Sequence, residues 1–86
     1  MNFTFDDDAG NLFRVSGNIM HITNTRSNDV QQVIIDLRRV GAMALSGARG
    51  VRTLTMFVDG DPHSFMVMPE TVELIQDAWY KAIGVL

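Results

Sequence analysis

Apolar and polar residues alternate through the first part of the chain. Phe3-Thr4-Phe5, Phe13-Arg14-Val15 and Ile19-Met20-His21-Ile22-Thr23 each carry the period of two that marks a half-buried strand. Between them stand residues that reverse a chain. Asp6-Asp7-Asp8-Ala9-Gly10-Asn11 separates the first two runs, and Ser16-Gly17-Asn18 separates the second and third, its Gly-Asn pair suited to a two-residue hairpin loop. The first 24 residues therefore predict a three-stranded meander.

The pattern then changes. Ser27, Asn28 and Asp29 offer helix N-caps, with Gln31 three places after Asn28 as in a capping box. Val30, Val33, Ile34, Leu37, Val40, Ala44 and Leu45 fall in one sector at 100° per residue, and Gly41 shares it. This predicts a first helix ended by Gly47 or Gly50. Its outer side is unusual, because Ile35, Ala42 and Met43 accompany Gln32 and Arg39 there.

Arg52 to Val58 predicts a strand and Ser64 to Met68 its partner. Leu54, Met56 and Val58 lie on one face and Thr53, Thr55 and Phe57 on the other, while Phe65 and Val67 oppose Met66 and Met68. Large apolar groups on both faces belong to strands covered on two sides. A second helix follows in MPETVELIQDAWYKAIGVL, with Pro69 at a first-turn position and Glu70 and Glu73 at the positive end of its dipole. Its apolar stripe is Val72, Ile75, Ala78, Trp79, Ala82, Ile83 and Leu86. The expected fold is α+β in the order βββαββα, an antiparallel sheet of about five strands with two helices packed mainly on one face.

That arrangement leaves the other face of the second hairpin without a cover from this chain. Exposed apolar patches above a few hundred Å² are rare on monomers, so a second copy or a protein partner is expected there. Met20, Met56, Met66 and Met68 add to the case, since methionine adapts its shape to varied partners. The expected interface residues are Ile35, Arg39 and Met43 on the outer side of the first helix, with Met56, Met66 and Met68 on the hairpin.

Length and composition narrow the functional classes. The 86 residues suffice for one domain, 1–86, and the 47% apolar, 20% charged composition is that of a chain that folds without a metal or cofactor. Cysteine is absent, which removes disulfides, thiolate nucleophiles and cysteine-based metal centres and points to a cytoplasmic protein. MNFTFDDDAG lacks the basic-then-apolar plan of an export signal, and no window approaches the roughly 20 apolar residues of a membrane span. The net charge of −3 has the wrong sign for a general nucleic-acid binder. Its distribution is uneven: from Arg26 to Arg52, five arginines face only Asp29 and Asp36, a local +3 that leaves −6 for the rest.

Three constellations could carry chemistry. Asp59, Asp61 and His63 in VDGDPHSF could hold a metal or share a proton, but Asp59-Gly60 and Asp61-Pro62 are also turn pairs, and Gly60 and Pro62 are expected to break any regular strand. Arg38, Arg39, Arg49 and Arg52 form a basic group able to meet an anionic ligand or nucleic acid, though with no aromatic residue interleaved. A serine hydrolase would need Ser16, Ser27, Ser46 or Ser64 beside His21 or His63, and no nucleophile motif marks any of them. Asp6-Asp7-Asp8 lacks the spacing of a calcium loop and is expected to be only a turn. The order βββαββα resembles that of small acidic dimeric type III secretion chaperones without their first helix. That resemblance implies a dimeric, protein-binding role. From the residues themselves a homodimer with no catalytic residue and no cofactor is expected.

Overall fold

The computed structural model describes residues 2–7, 9–24, 32–47 and 50–85. Three strands, β1 (Asn2–Asp7), β2 (Asn11–Ser16) and β3 (Ile19–Asn24), form the expected meander. A two-residue turn at Gly17-Asn18 joins β2 to β3, with Gly17 at φ +61 in a conformation that costs a glycine nothing. Alternation sorts the faces: Phe13, Val15, Met20 and Ile22 are buried, while Arg14 and Ser16 between them are exposed.

The first helix is not formed by its described part. Gln32–Asp36 is a fourth strand, β4, which pairs antiparallel with β3 and completes a sheet of order β1-β2-β3-β4. Leu37–Arg39 is a single 3-10 turn, and Val40–Ser46 is a fifth strand, β5. The cap candidates Ser27, Asn28 and Asp29, with Gln31, lie outside the described residues. The reason is local: Val33, Ile34 and Ile35 are β-branched and lose side-chain freedom in a helix. Val33, Ile35 and Leu37 also satisfy a period of two, so one side of β4 faces inward. Ile35, expected on the outer side of a helix, is 3% exposed and belongs to the core.

β6 (Arg52–Val58) matches its expected span, and β7 (Asp61–Val67) begins three residues earlier than predicted. Pro62 therefore sits inside a strand, which it can do because β7 is an edge of the second sheet, ordered β5-β6-β7. The turn between β6 and β7 is Asp59-Gly60, with φ of 52° and 89°, the double positive that a tight hairpin of matching twist demands. The helix α1 (Pro69–Ala82) stands where predicted, with Pro69 in its first turn. It buries Thr71, Val72, Ile75 and Ala78 and half-buries Trp79 and Ala82, while Ile83 at its end is exposed.

The described chain is thus α+β with two antiparallel sheets and one helix, in place of one five-stranded sheet and two helices. A single apolar core joins them, with Phe13, Met20 and Ile35 from the first sheet, Leu54, Met56 and Val67 from the second, and Val72 and Ile75 from α1. The 3-10 turn fastens the passage between the sheets at both ends. Leu37 N–H donates to Asn18 O at the tip of β2–β3 (2.8 Å), and Asp59 N–H at the tip of β6–β7 donates to Arg39 O (3.1 Å).

Candidate functional site

Asp59, Asp61 and His63 do not converge. Asp59 is in the turn and its carboxylate pairs with the Arg39 guanidinium. Asp61 opens β7 opposite Val58, and His63 stands two places on, opposite Met56. Among the described residues no group of three histidine, aspartate or glutamate side chains is placed to hold a metal ion. Ser64 bonds Thr55 Oγ1 across the hairpin at 2.9 Å, and His21 lies on the outer face of the first sheet opposite Arg14 and Ile34. Ser27 lies outside the described residues, and among the described ones no hydrogen bond joins a serine to a histidine as nucleophile and base.

The basic group is likewise dispersed. Arg38 closes on Asp36, its Nη2 2.8 Å from one carboxylate oxygen and its Nε 3.0 Å from the other. These bonds and the Arg38 backbone N–H hold the Asp36 carboxyl below its ordinary value, and they push the Arg38 guanidinium up. Arg39 has Asp59. Arg52 begins β6 while Asp59 follows its end, so Arg52 is separated from Arg39 by the strand's length, about 20 Å at 3.3 Å per residue. Arg49 lies outside the described residues.

One polar group in the run 6–11, whose composition predicts only a turn, proves central. Asp7 is 2% exposed. Its Oδ1 accepts from Ala9 N–H (2.7 Å), and its Oδ2 accepts from Met68 N–H (2.9 Å) and from the Thr71 hydroxyl. Met68 is the N-cap of α1 and makes no side-chain cap bond, so Asp7 supplies from the first hairpin the carboxylate that the helix start lacks. Close by, Asn11 Nδ2 donates to Met66 O at 2.8 Å. Nothing in local spacing could have paired residues this far apart.

The expected interface residues divide. Met56 is fully buried and Ile35 nearly so, and both serve the core. Met43 is half-buried opposite Met56, Met68 is half-buried ahead of the helix, and Arg39 is exposed beside Asp59. Met66 is 56% exposed. It lies on the outer face of the second sheet, where the register also places Ala42, Ala44, Phe57, Pro62 and Ser64. Of these, Ala42, Ala44, Pro62, Ser64 and Met66 are exposed and Phe57 is half-buried. A groove of about 590 Å³ runs beside β7, between His63, Phe65 and Met66 on one side and Asn11, Ile22 and Val33 of the first sheet on the other.

No protein-family model, no curated protein and no solved structure matches the chain. No helix among the described residues is long and apolar enough to cross a membrane.

Proposed function

We propose that the chain is a non-enzymatic protein-interaction protein, a cytoplasmic homodimer that binds a second protein through an apolar sheet face. The observation that carries this reading is the outer face of the β5-β6-β7 sheet, where Ala42, Ala44, Phe57, Pro62 and Met66 form an apolar surface that no described element covers. Such faces on small proteins are sites of association. Phe57 and Met66 supply adaptable contact area, and the Thr55 and Ser64 hydroxyls between them share one hydrogen bond, so covering the pair leaves one O–H donor to be met by the partner. The earlier alternative contact, the outer side of a first helix, lapses with that helix. Anion binding and metal-assisted chemistry draw no support from the dispersed arginines or from Asp59, Asp61 and His63.

The test is a comparison of captured proteins. Immobilised wild-type chain is set against Phe57→Asp and Met66→Asp, with Ile34→Asp on the outer face of the other sheet as control, all checked by circular dichroism. A bound protein that is lost with Phe57→Asp and Met66→Asp and kept with Ile34→Asp supports the reading. Binding indifferent to both outer-face variants, or no specific binding at all, overturns it.

A further inference from the structure

Each open sheet has two edges, and folded proteins protect them, since an unguarded edge invites a further strand. Three of the four edges here are guarded. β1 ends in exposed Asp6 and buried Asp7. β4 has only five residues and runs from Gln32 to Asp36, straight into the 3-10 turn. β7 carries Asp61 and Pro62, and the carbonyl of its Met66 is taken by Asn11.

β5 is different. Its sequence, VGAMALS, has no charge and no proline, and its one irregularity lies between Val40 and Ala42, leaving Ala42–Ser46 in regular register with β6. Its first residue is occupied, because Trp79 Nε1 donates to Val40 O at 3.0 Å. Beyond that point Ala42, Ala44, Leu45 and Ser46 are exposed, and no hydrogen bond joins them to any described element other than β6.

We propose that Ala42–Ser46 of β5 pairs antiparallel with the same strand of a second copy, making one continuous six-stranded sheet across a two-fold axis. The strand suits itself better than a foreign guest. With no charge on it, a symmetric pairing sets no like charges against each other, and a charged guest would find no counter-charge. A register centred on Ala44 uses all five residues, with Ala42 opposite Ser46 and Met43 opposite Leu45. Alanine and serine then occupy the outer face, where small side chains leave room for backbones to approach. Methionine and leucine meet at the inner face and cover the exposed side of Leu45, which is 41% open in the single copy. The dimer leaves Phe57 and Met66 uncovered and sets two such faces side by side on one sheet, which deepens the homodimeric part of the function proposed above.

Sedimentation from 1 to 300 μM reads the first expectation, a monomer–dimer equilibrium whose dissociation constant rises at least tenfold in Ala44→Lys and in Leu45→Lys. Both positions are exposed, so both variants keep the wild-type circular dichroism. Because the chain holds no cysteine, Ala44→Cys gives a clean second readout: mild oxidation links two copies through this position alone. A monomer at every concentration overturns the pairing. So does a dimer insensitive to both lysine variants and unlinked by Ala44→Cys, or a monomer whose Ala42–Ser46 amides gain protection only when a strand-forming peptide is added. Partner capture by Phe57 and Met66 that persists in Ala44→Lys leaves the partner-binding part of the proposed function standing while the pairing fails, so the two are separable.

Discussion

Replacing Asp7 by alanine removes the acceptor for Ala9 N–H, Met68 N–H and the Thr71 hydroxyl together. Thr71 is fully buried and Met68 half-buried, so neither donor is readily rescued by water. A buried donor left without a partner costs about 1–3 kcal/mol, and loss of a negative charge at a helix start adds about 0.3–1 kcal/mol. Ala9 is buried as well, so its N–H is also stranded, and the expected loss is at least about 3 kcal/mol. Total stability for a chain of this length is on the order of 4–13 kcal/mol, so Asp7→Ala approaches the limit of folding. Asp7→Asn is the milder probe: its amide oxygen serves one side only and its NH2 meets the Met68 N–H, for a cost of about 1–2 kcal/mol. Thr71→Val, nearly isosteric, should cost a similar amount, and the double variant should cost less than the sum because both changes break one bond. Urea unfolding measures all four. An Asp7→Ala unfolding free energy within about 1 kcal/mol of wild type at unchanged slope would refute the argument that this carboxylate joins the first hairpin to the helix.

Other outcomes follow from single contacts. Trp79→Phe removes the bond to Val40 O and keeps most of the ring, so urea unfolding should show a loss of about 1–2 kcal/mol. Gly60→Ala places a side chain at φ +89 and should destabilise by about 1 kcal/mol, although the site has open space, whereas Gly41→Ala, also in open space and without positive φ, should be neutral or slightly stabilising. The Asp36 carboxyl is lowered first by its side-chain bond to Arg38, so its contribution to stability is complete above its unfolded value of 3.8 and is lost as pH falls through the lower folded value. NMR titration should show that downward displacement, and Arg38→Gln or high salt should diminish it, since the pair is solvent-exposed.

The elements readable from sequence are those whose reasons are local. Phe13, Val15, Met20 and Ile22 alternate with polar residues, and Gly17 and Asp59-Gly60 mark tight reversals, so those hairpins follow from pattern alone. Pro69 and Glu70 likewise announce α1. The departure from the expected helix at 32–46 has an equally definite origin. Val33 and Leu37 fit both a helical stripe and a strand face, and the presence of Ile35, Ala42 and Met43 on the supposed polar side was the sign that the helical period was the wrong choice. β-Branching at Val33, Ile34 and Ile35 should have decided it. Asp7 was illegible for another reason. Its partners are 61 and 64 residues away, and only tertiary structure turns one of three consecutive aspartates into a helix cap. Of the expected interface residues Met66 is exposed, whereas Ile35 and Met56 are buried, because Ile35 follows β4 inward and Met56 shares the inner face with Leu54.

The strand order has a consequence for time as well as for shape. β1-β2-β3-β4 and β5-β6-β7 are each laid down in chain order, every strand beside its neighbour in sequence, so most pairing is won by closing short loops. Among the described residues, the hydrogen bonds that link the first hairpin to the end of β7 and the start of the helix are those of Asn11 to Met66 and of Asp7 to Met68 and Thr71. Two ribbons can therefore zip independently and be buttoned together last. A substitution at Asp7 should then leave the refolding rate nearly unchanged and appear almost wholly as faster unfolding, making this one carboxylate a determinant of how long the folded chain lasts rather than of how quickly it forms.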